Sequence, residues 1–363
     1  MPEYFVGLMS GTSLDGVDAV LAAAHGGRLQ QLRSIHLPFH AKLRSRLLGL
    51  QESGFDELHR AALLSNELSD LYAGATRRLL ARAGMAARAI AAIGCHGQTV
   101  RHRPADGYTL QLVNGARLAE RSGIPVVCDF RSRDVAAGGE GAPLVPAFHQ
   151  AMFQTARRSR AIVNLGGIAN VTSLPARGRV TGFDSGPGNC LLDAWISEKR
   201  RVPYDPNGTW AASGRVIPRL LARLLAHPYF RRRPPKSTGR DEFSLKWLKR
   251  QLAGSERAAD VQATLAELTA LTVARAVRRY CAGAREVFVC GGGTRNRVLL
   301  ARLAALLPRT RVATTAALGI EPEHVEALAF AWLARQALKH RPGNLPAVTG
   351  ARGPRMLGAI YPR

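Results

Sequence analysis

The chain has 363 residues, with 51 Lys and Arg against 26 Asp and Glu, a formal net charge of +25. Its apolar content is that of a folded globular protein rather than a disordered one, and its length suits two domains better than one. No stretch reaches the ~20 apolar residues of a membrane span, and no basic segment followed by an apolar one marks a secretory leader. The five cysteines, at 95, 128, 190, 281 and 290, are scattered and form no CxxC pair. That argues against a disulfide framework and a zinc site, and suits a reducing cytoplasm. A net charge this high raises the question of nucleic acid. The arginines are spread along the chain and do not interleave with aromatics, so a charged surface serving an anionic small substrate is expected, with no specific nucleic-acid partner and no membrane partner.

In chain order, residues 4–10 read as a strand, followed by a Gly/Thr/Ser turn and a second strand near 18–23. A long helix is predicted over 56–84, with Leu58, Ala62, Leu68, Leu71 and Leu79 on its apolar face. Residues 89–94 and 125–128 read as strands ending at His96-Gly97-Gln98-Thr99 and Asp129-Phe130-Arg131. The cluster Gly138-Gly139-Glu140-Gly141-Ala142-Pro143 breaks regular structure and suits a crossing between domains. The opening pattern then recurs as strand, glycine turn and strand over 161–174. A helix is expected at 260–282, a strand at 286–290, and a helix at about 295–307. Strands alternating with helices, and a hairpin used twice, predict two α/β domains of similar plan.

Three glycine turns follow apolar strands. Ser10-Gly11-Thr12-Ser13 offers backbone N–H groups and hydroxyls suited to phosphate oxygens, although taken alone it also reads as an ordinary polar turn. Asn164-Leu165-Gly166-Gly167 is the second, and Gly291-Gly292-Gly293 opening a helix is the third. Neither GxGxxG nor a Walker lysine pattern is present. Asp184 stands at a strand end before Gly186-Pro187-Gly188. It is a candidate general base, with a turn-forming aspartate as the alternative. His96, flanking a glycine loop, reads as a buried, satisfied histidine sooner than as a catalytic one.

Together these segments resemble the anhydro-N-acetylmuramic acid kinase family. The resemblance is carried by Gly7-Leu-Met-Ser-Gly-Thr-Ser-Leu-Asp-Gly-Val-Asp18, His96-Gly-Gln-Thr99, Asp129-Phe-Arg131, Asp134-Val-Ala-Ala-Gly-Gly139, Asn164-Leu-Gly-Gly167, Gly182-Phe-Asp184, Gly186-Pro-Gly-Asn189, Lys236-Ser-Thr-Gly239 and Cys290-Gly-Gly-Gly293, in family order along the whole chain. It implies an α/β, two-domain actin-like ATPase fold (ribonuclease H-like) with a cleft between the domains. The expected boundaries are 1–135 and 136–342, with the tail at about 343–363 packing back on the first domain. It implies ATP and Mg²⁺, and a kinase that opens 1,6-anhydro-N-acetylmuramic acid with water and phosphorylates O6. Asp184 is the implied catalytic base. The implied ATP contacts are Gly11, Thr12, Ser13, Leu14, Asp15, Gly16, Val17, Asp18, Asn164, Gly166, Gly167, Gly291, Gly292 and Gly293. Sugar contacts are implied at His96, Gln98, Arg131 and Glu326. Relatives in the wider superfamily carry an aspartate where Met9 stands, which leaves Asp15 and Asp18 as the nearest carboxylates for Mg²⁺, with no dedicated protein metal site. A homodimer is compatible with this reading. A kinase for another sugar, or an actin-like nucleotide switch, are the alternatives.

Overall fold

A computed structural model describes residues 2–11 and 13–363. The chain opens with β1 (Glu3–Met9), β2 (Gly16–His25) and β3 (Arg28–Pro38), then α1 (Ala41–Leu48) and α2 (Glu57–Ala83). β4 (Ile90–Cys95), β5 (Gln98–Arg103), β6 (Tyr108–Leu112), α3 (Gly115–Ser122), β7 (Val126–Cys128), α4 (Ser132–Ala136) and α5 (Val145–Phe153) follow. Next come β8 (Arg160–Leu165), β9 (Ile168–Leu174), β10 (Thr181–Pro187), α6 (Cys190–Arg200), α7 (Thr209–Ala212), α8 (Pro218–Leu225), α9 (Leu245–Gln251) and α10 (Ala258–Tyr280). β11 (Glu286–Cys290), α11 (Arg297–Leu306), β12 (Arg311–Thr314), α12 (Val325–Leu338), α13 (Pro346–Thr349) and β13 (Ala359–Tyr361) complete it.

The chain divides into two compact units. One holds Met1–Met152 with His324–Arg363, the other Phe153–Glu323. In the first unit the sheet order is β13-β7-β4-β1-β2-β3, with β1–β2–β3 antiparallel and β4 parallel to β1. In the second it is β10-β9-β8-β11-β12, with β8–β9–β10 antiparallel and β11 and β12 parallel to β8. Counting strands within each of these two sheets, both read 3-2-1-4-5, with β13 an added edge strand in the first and β5 and β6 paired apart as a two-stranded sheet. A hairpin at the centre of each sheet is the repeat visible in the sequence. This is a mixed α/β protein with a duplicated ribonuclease H-like plan, the two-domain actin-like architecture.

The division falls after Met152 rather than after 135, and α12 belongs to the first unit rather than the second. The cause is a close approach of backbones. A Cβ on Gly7 in β1 would lie 1.8 Å from the carbonyl oxygen of Ala327, and one on Gly94 in β4 would lie 2.0 Å from that of Phe330. Only glycine at both positions lets α12 rest directly on the sheet. The tail beyond α12 stays with this unit through Asp134. That carboxylate is fully buried and accepts from Asn344 Nδ2 at 2.7 Å, Thr349 Oγ1 at 2.8 Å and the Gly141 amide at 2.8 Å.

On the other face of the sheet, α2 buries Leu64, Leu68, Tyr72, Ala75 and Leu79, spaced three and four apart as one helical stripe requires. The stripe differs from the one expected. Leu58 lies before it and is 88% exposed, and Ala62 faces outward. In the second unit α10 covers the sheet with Ala270, Val273, Ala274 and Val277. No helix among the described residues is long and apolar enough to cross a membrane.

Candidate functional site

The first unit gathers a polar group at the ends of β1, β4 and α12. The β1–β2 turn is closed by the Leu14 amide donating to the Gly11 carbonyl at 3.2 Å, and Ser13 Oγ donates to Asp15 at 2.8 Å. Thr12 lies outside the described residues. Ser10 Oγ lies 2.7 Å from the Tyr72 hydroxyl, which ties the turn to α2. Gln98, fully buried, donates from Nε2 to the Gly11 carbonyl at 3.2 Å, while its Oε1 has no hydrogen-bond partner among the described residues. Asp18 lies 2.8 Å from His36 Nδ1, and Val17 and Leu14 are buried in the core. A Cβ on Gly16 would come 2.3 Å from the Leu37 carbonyl oxygen, so that glycine serves strand packing.

His96 and Arg131 are engaged with each other. Arg131 donates from Nε and Nη2 to His96 Nε2 at 3.1 and 2.9 Å, and from Nη1 to the Gly141 carbonyl at 2.7 Å. Burial, with the guanidinium beside it, pushes His96 down to about 3, so the ring is a neutral acceptor at physiological pH. Burial likewise lowers Arg131 to about 10, opposed by the charges of Glu326 and Asp134. Glu326 stands in the first turn of α12. His96 is thus buried and engaged through Nε2 with Arg131, while its Nδ1 has no hydrogen-bond partner among the described residues, so the ring is only half satisfied.

The second unit brings together the other two glycine turns and Asp184. The β8–β9 turn is fastened to the start of α6. The amides of Gly188 and Cys190 donate to the Gly167 carbonyl at 2.9 and 3.0 Å, and the Asn189 amide to the Gly166 carbonyl at 2.8 Å. In a trans peptide the N–H points opposite to the C=O. With both carbonyls turned to α6, the amides of Gly167 and Ile168 face away from it. The Arg240 guanidinium lies over this turn, 3.1 Å from where a Cβ of Gly167 would stand. Asn164 Oδ1 is buried without a hydrogen-bond partner among the described residues, beside Gly291, whose Cβ would stand 2.3 Å from it. A cavity of about 400 Å³, lined by Tyr204, Pro206, Asn207, Thr294, Arg295 and Arg297, opens beside the third turn.

The glycines of the three turns serve two different purposes. Gly291 and Gly293 are packed against the end of β8, where added Cβ atoms would stand 2.3 Å from Asn164 Oδ1 and 2.5 Å from Leu165 Cβ. Among the described residues, and leaving chain neighbours aside, Gly11 and Gly292 have open space, with nothing nearer than 3.6 Å to an added Cβ at Gly11 and nothing within 4 Å at Gly292. The protein itself does not need glycine at these two positions. Gly11→Val and Gly292→Val are expected to melt within a few degrees of the parent while weakening ATP binding by about tenfold or more, read by calorimetric titration beside a thermal melt. Unchanged affinity in a folded variant would remove that turn from the nucleotide site.

Asp184 sits at a bulge. Asp184 pairs with Asn170 and Gly186 with Ala169, so Ser185 is an extra residue in β10. The Asp184 amide donates to the Lys236 carbonyl at 3.1 Å. Its carboxylate Oδ2 accepts from Ser237 Oγ at 3.0 Å and from the Thr238 amide at 3.0 Å, and the Tyr229 hydroxyl donates to its carbonyl at 2.6 Å. Thr269 in α10 pins the following turn by donating to the Pro187 and Gly188 carbonyls at 3.1 and 2.9 Å. Asp184 is 8% exposed. Burial pushes its carboxyl up to about 6, against the lowering pull of the Thr238 amide, the Ser237 hydroxyl and the Lys236 ammonium. Ser237, Thr238, Arg240 and Tyr229 escaped the residue-by-residue reading. The Lys236-Ser-Thr-Gly239 segment points to Ser237 and Thr238; nothing in the sequence singles out Tyr229 or Arg240.

Among the described residues no set of three metal-ligating side chains converges. Oxygen donors are nevertheless present beside the first turn in Asp15 and Asp18. They fit an ion that keeps most of its waters and is held chiefly by nucleotide phosphates.

Two sheets of 3-2-1-4-5 order, with a glycine turn in the central hairpin of each, define the two-domain actin-like fold. Comparison with known proteins narrows the class. The sequence model of the family described as anhydro-N-acetylmuramic acid kinase matches residues 3–363. The anhydro-N-acetylmuramic acid kinase of Nitrosomonas europaea is 56% identical over 361 residues, covering 99% of each chain. That of Thiobacillus denitrificans is 55% identical over 364 residues, covering 99% of this chain and 97% of the other. That of Chromobacterium violaceum is 51% identical over 367 residues, covering 100% of each. The chain belongs to the anhydro-N-acetylmuramic acid kinase family.

Proposed function

We propose that this protein is an ATP-dependent kinase that opens 1,6-anhydro-N-acetylmuramic acid with water and phosphorylates O6, releasing N-acetylmuramic acid 6-phosphate and ADP in peptidoglycan recycling. The observation that carries the chemistry is Asp184, a buried carboxylate held by two donors and poised near neutrality, on a chain that belongs to this family from end to end. A general base is most effective when its pKa lies near the working pH. Asp184 takes a proton from the water attacking C1, the C1–O6 bond breaks, and O6 bonds to the terminal phosphorus of ATP as the bond to the ADP oxygen breaks. One water and one phosphoryl group are added to the sugar, and one proton is released.

In phosphoryl transfer, positioning and neutralisation of charge supply most of the rate. The open turn at Gly11 and the amides of Gly167 and Ile168 suit phosphate oxygens, and Arg240 brings positive charge to the second of these. Bound Mg²⁺ would neutralise phosphate charge, with Asp15 and Asp18 as the side chains to orient it. The cavity beside Thr294 and Arg295 suits the adenosine. Gln98, with a free buried acceptor, and Arg131, held rigid by His96 and near Glu326, suit the sugar hydroxyls and carboxylate. The cytoplasm, where ATP is available, is the compartment this chemistry fits.

The test is incubation with ATP, Mg²⁺ and the anhydro sugar in ¹⁸O water, followed by mass spectrometry. The expected product carries one phosphoryl group and one water, with ¹⁸O on C1 and none in the phosphate. Faster turnover of glucose, or label in the phosphate, would overturn the reading.

A further inference from the structure

The loop that follows the cis Pro234–Pro235 peptide returns to β10 and places both of its carboxylate donors on one oxygen. Ser237 Oγ and the Thr238 amide each lie 3.0 Å from Asp184 Oδ2, and Oδ1 receives neither. The loop is itself braced. Thr238 Oγ1 donates to Glu242 at 2.5 Å, and the Lys236 carbonyl accepts the Asp184 amide. On the reading that Asp184 is the base, we propose that Oδ2 is the anchored oxygen and Oδ1 the one that accepts the proton, with Ser237 a positioning residue that aims the carboxylate and sets its strength.

The physical reason is that a donor to an ionised carboxylate stabilises the charged form and lowers its proton affinity. Two donors on the same oxygen also fix rotation about the Cβ–Cγ bond, so the remaining oxygen keeps one direction. The groups facing this carboxylate are few. Lys236 is on the same loop, Tyr229 lies on the turn at 228–231 and donates to the Asp184 carbonyl, and Glu242 stands behind Thr238. Across the sheet its partner on β9 is the neutral Asn170, and Phe230 covers Gly186. Among the described residues Lys236 is the cation whose charge acts on Asp184, and burial lowers its own pKa. Removing Ser237 Oγ therefore leaves the Thr238 amide as the one direct donor. Ser237 is exposed, so its hydroxyl can be removed without opening a cavity in the core.

The experiment is the pH profile of kcat/KM for the parent, Ser237→Ala and Ser237→Thr, each checked by thermal melt. For Ser237→Ala the acidic limb is expected to move upward by about one pH unit, with kcat reduced and KM for ATP unchanged. The Thr variant, which keeps a hydroxyl, is expected to return the limb to the parent position. An unmoved limb in Ser237→Ala, with Asp184→Asn inactive, would overturn the division of the two oxygens while leaving Asp184 as the base. A fully active Asp184→Asn would instead remove the base, and the proposal with it. A limb shifted equally in the Ala and Thr variants would show that shape rather than the hydroxyl matters, which also overturns it.

Discussion

Asp184→Asn is expected to abolish turnover while leaving the fold and ATP binding in place. Asparagine keeps the size of the side chain, and its oxygen can still accept from Ser237 and Thr238, but it cannot take a proton from water. A positioned base contributes ~10²–10⁴-fold, or about 3–5 kcal/mol of barrier at ~1.4 kcal/mol per tenfold. The competing role, an aspartate that merely forms a turn, forecasts survival, because asparagine forms such turns equally well. A folded, ATP-binding variant that keeps more than about a tenth of parent kcat would rule out the base.

Stability supplies an independent readout with a definite sign. The folded carboxyl titrates at about 6, above its ordinary 3.8, so the folded state binds the proton more tightly than the unfolded one. Charging it therefore costs stability, progressively as pH rises from about 4 to about 6, and fully above that. At ~1.4 kcal/mol per unit of pKa, the cost at pH 8 is at most about 3 kcal/mol. Asp184→Asn should match or exceed the parent in denaturant unfolding at pH 8, and the gain should vanish below about pH 4.

Asp134→Ala is expected to be the most destabilising single change in the first unit. The carboxylate is fully buried and binds the Gly141 amide, Asn344 and Thr349, so its removal strands three donors belonging to segments far apart in the chain. Each stranded buried donor costs about 1–3 kcal/mol, so three cost about 3–9 kcal/mol if they act independently, at the large end of single changes, where a buried network is broken. The C-terminal tail should lose its hold first, so limited proteolysis is expected to cut near residues 343–355 before the parent is touched. Because Gly141 also receives Arg131, the loop that carries this arginine should loosen as well. A loss below about 1 kcal/mol with an unchanged digest would show that water replaces the carboxylate.

What the sequence determined by itself is what short-range pattern can carry. The apolar runs at β1, β4, β8 and β11 are long and buried on both faces, so they read as strands without help. The long helices α2 and α10 repeat their apolar spacing often enough to be seen, and the recurring hairpin announced the duplicated fold. The glycine turns and Asp184 stood out because unusual residues follow those strands directly. β3, β12 and β13 went unread because they are edge strands with mixed, partly exposed side chains, and the helices α7 to α9 are too short to establish a period.

Tertiary structure alone decided three things. It rotated the buried stripe of α2 toward Leu64 and Tyr72, since a helix face is chosen by the sheet it meets. It returned α12 to the first unit, because Gly7 and Gly94 leave room for a helix backbone that composition cannot locate. And it set the loop at 236–240 beside Asp184 and Gly167, more than fifty positions away in the chain. The strength of the candidate base comes from that juxtaposition. Burial raises its proton affinity, the loop's donors hold it down, and neither effect is a property of the local sequence around Asp184.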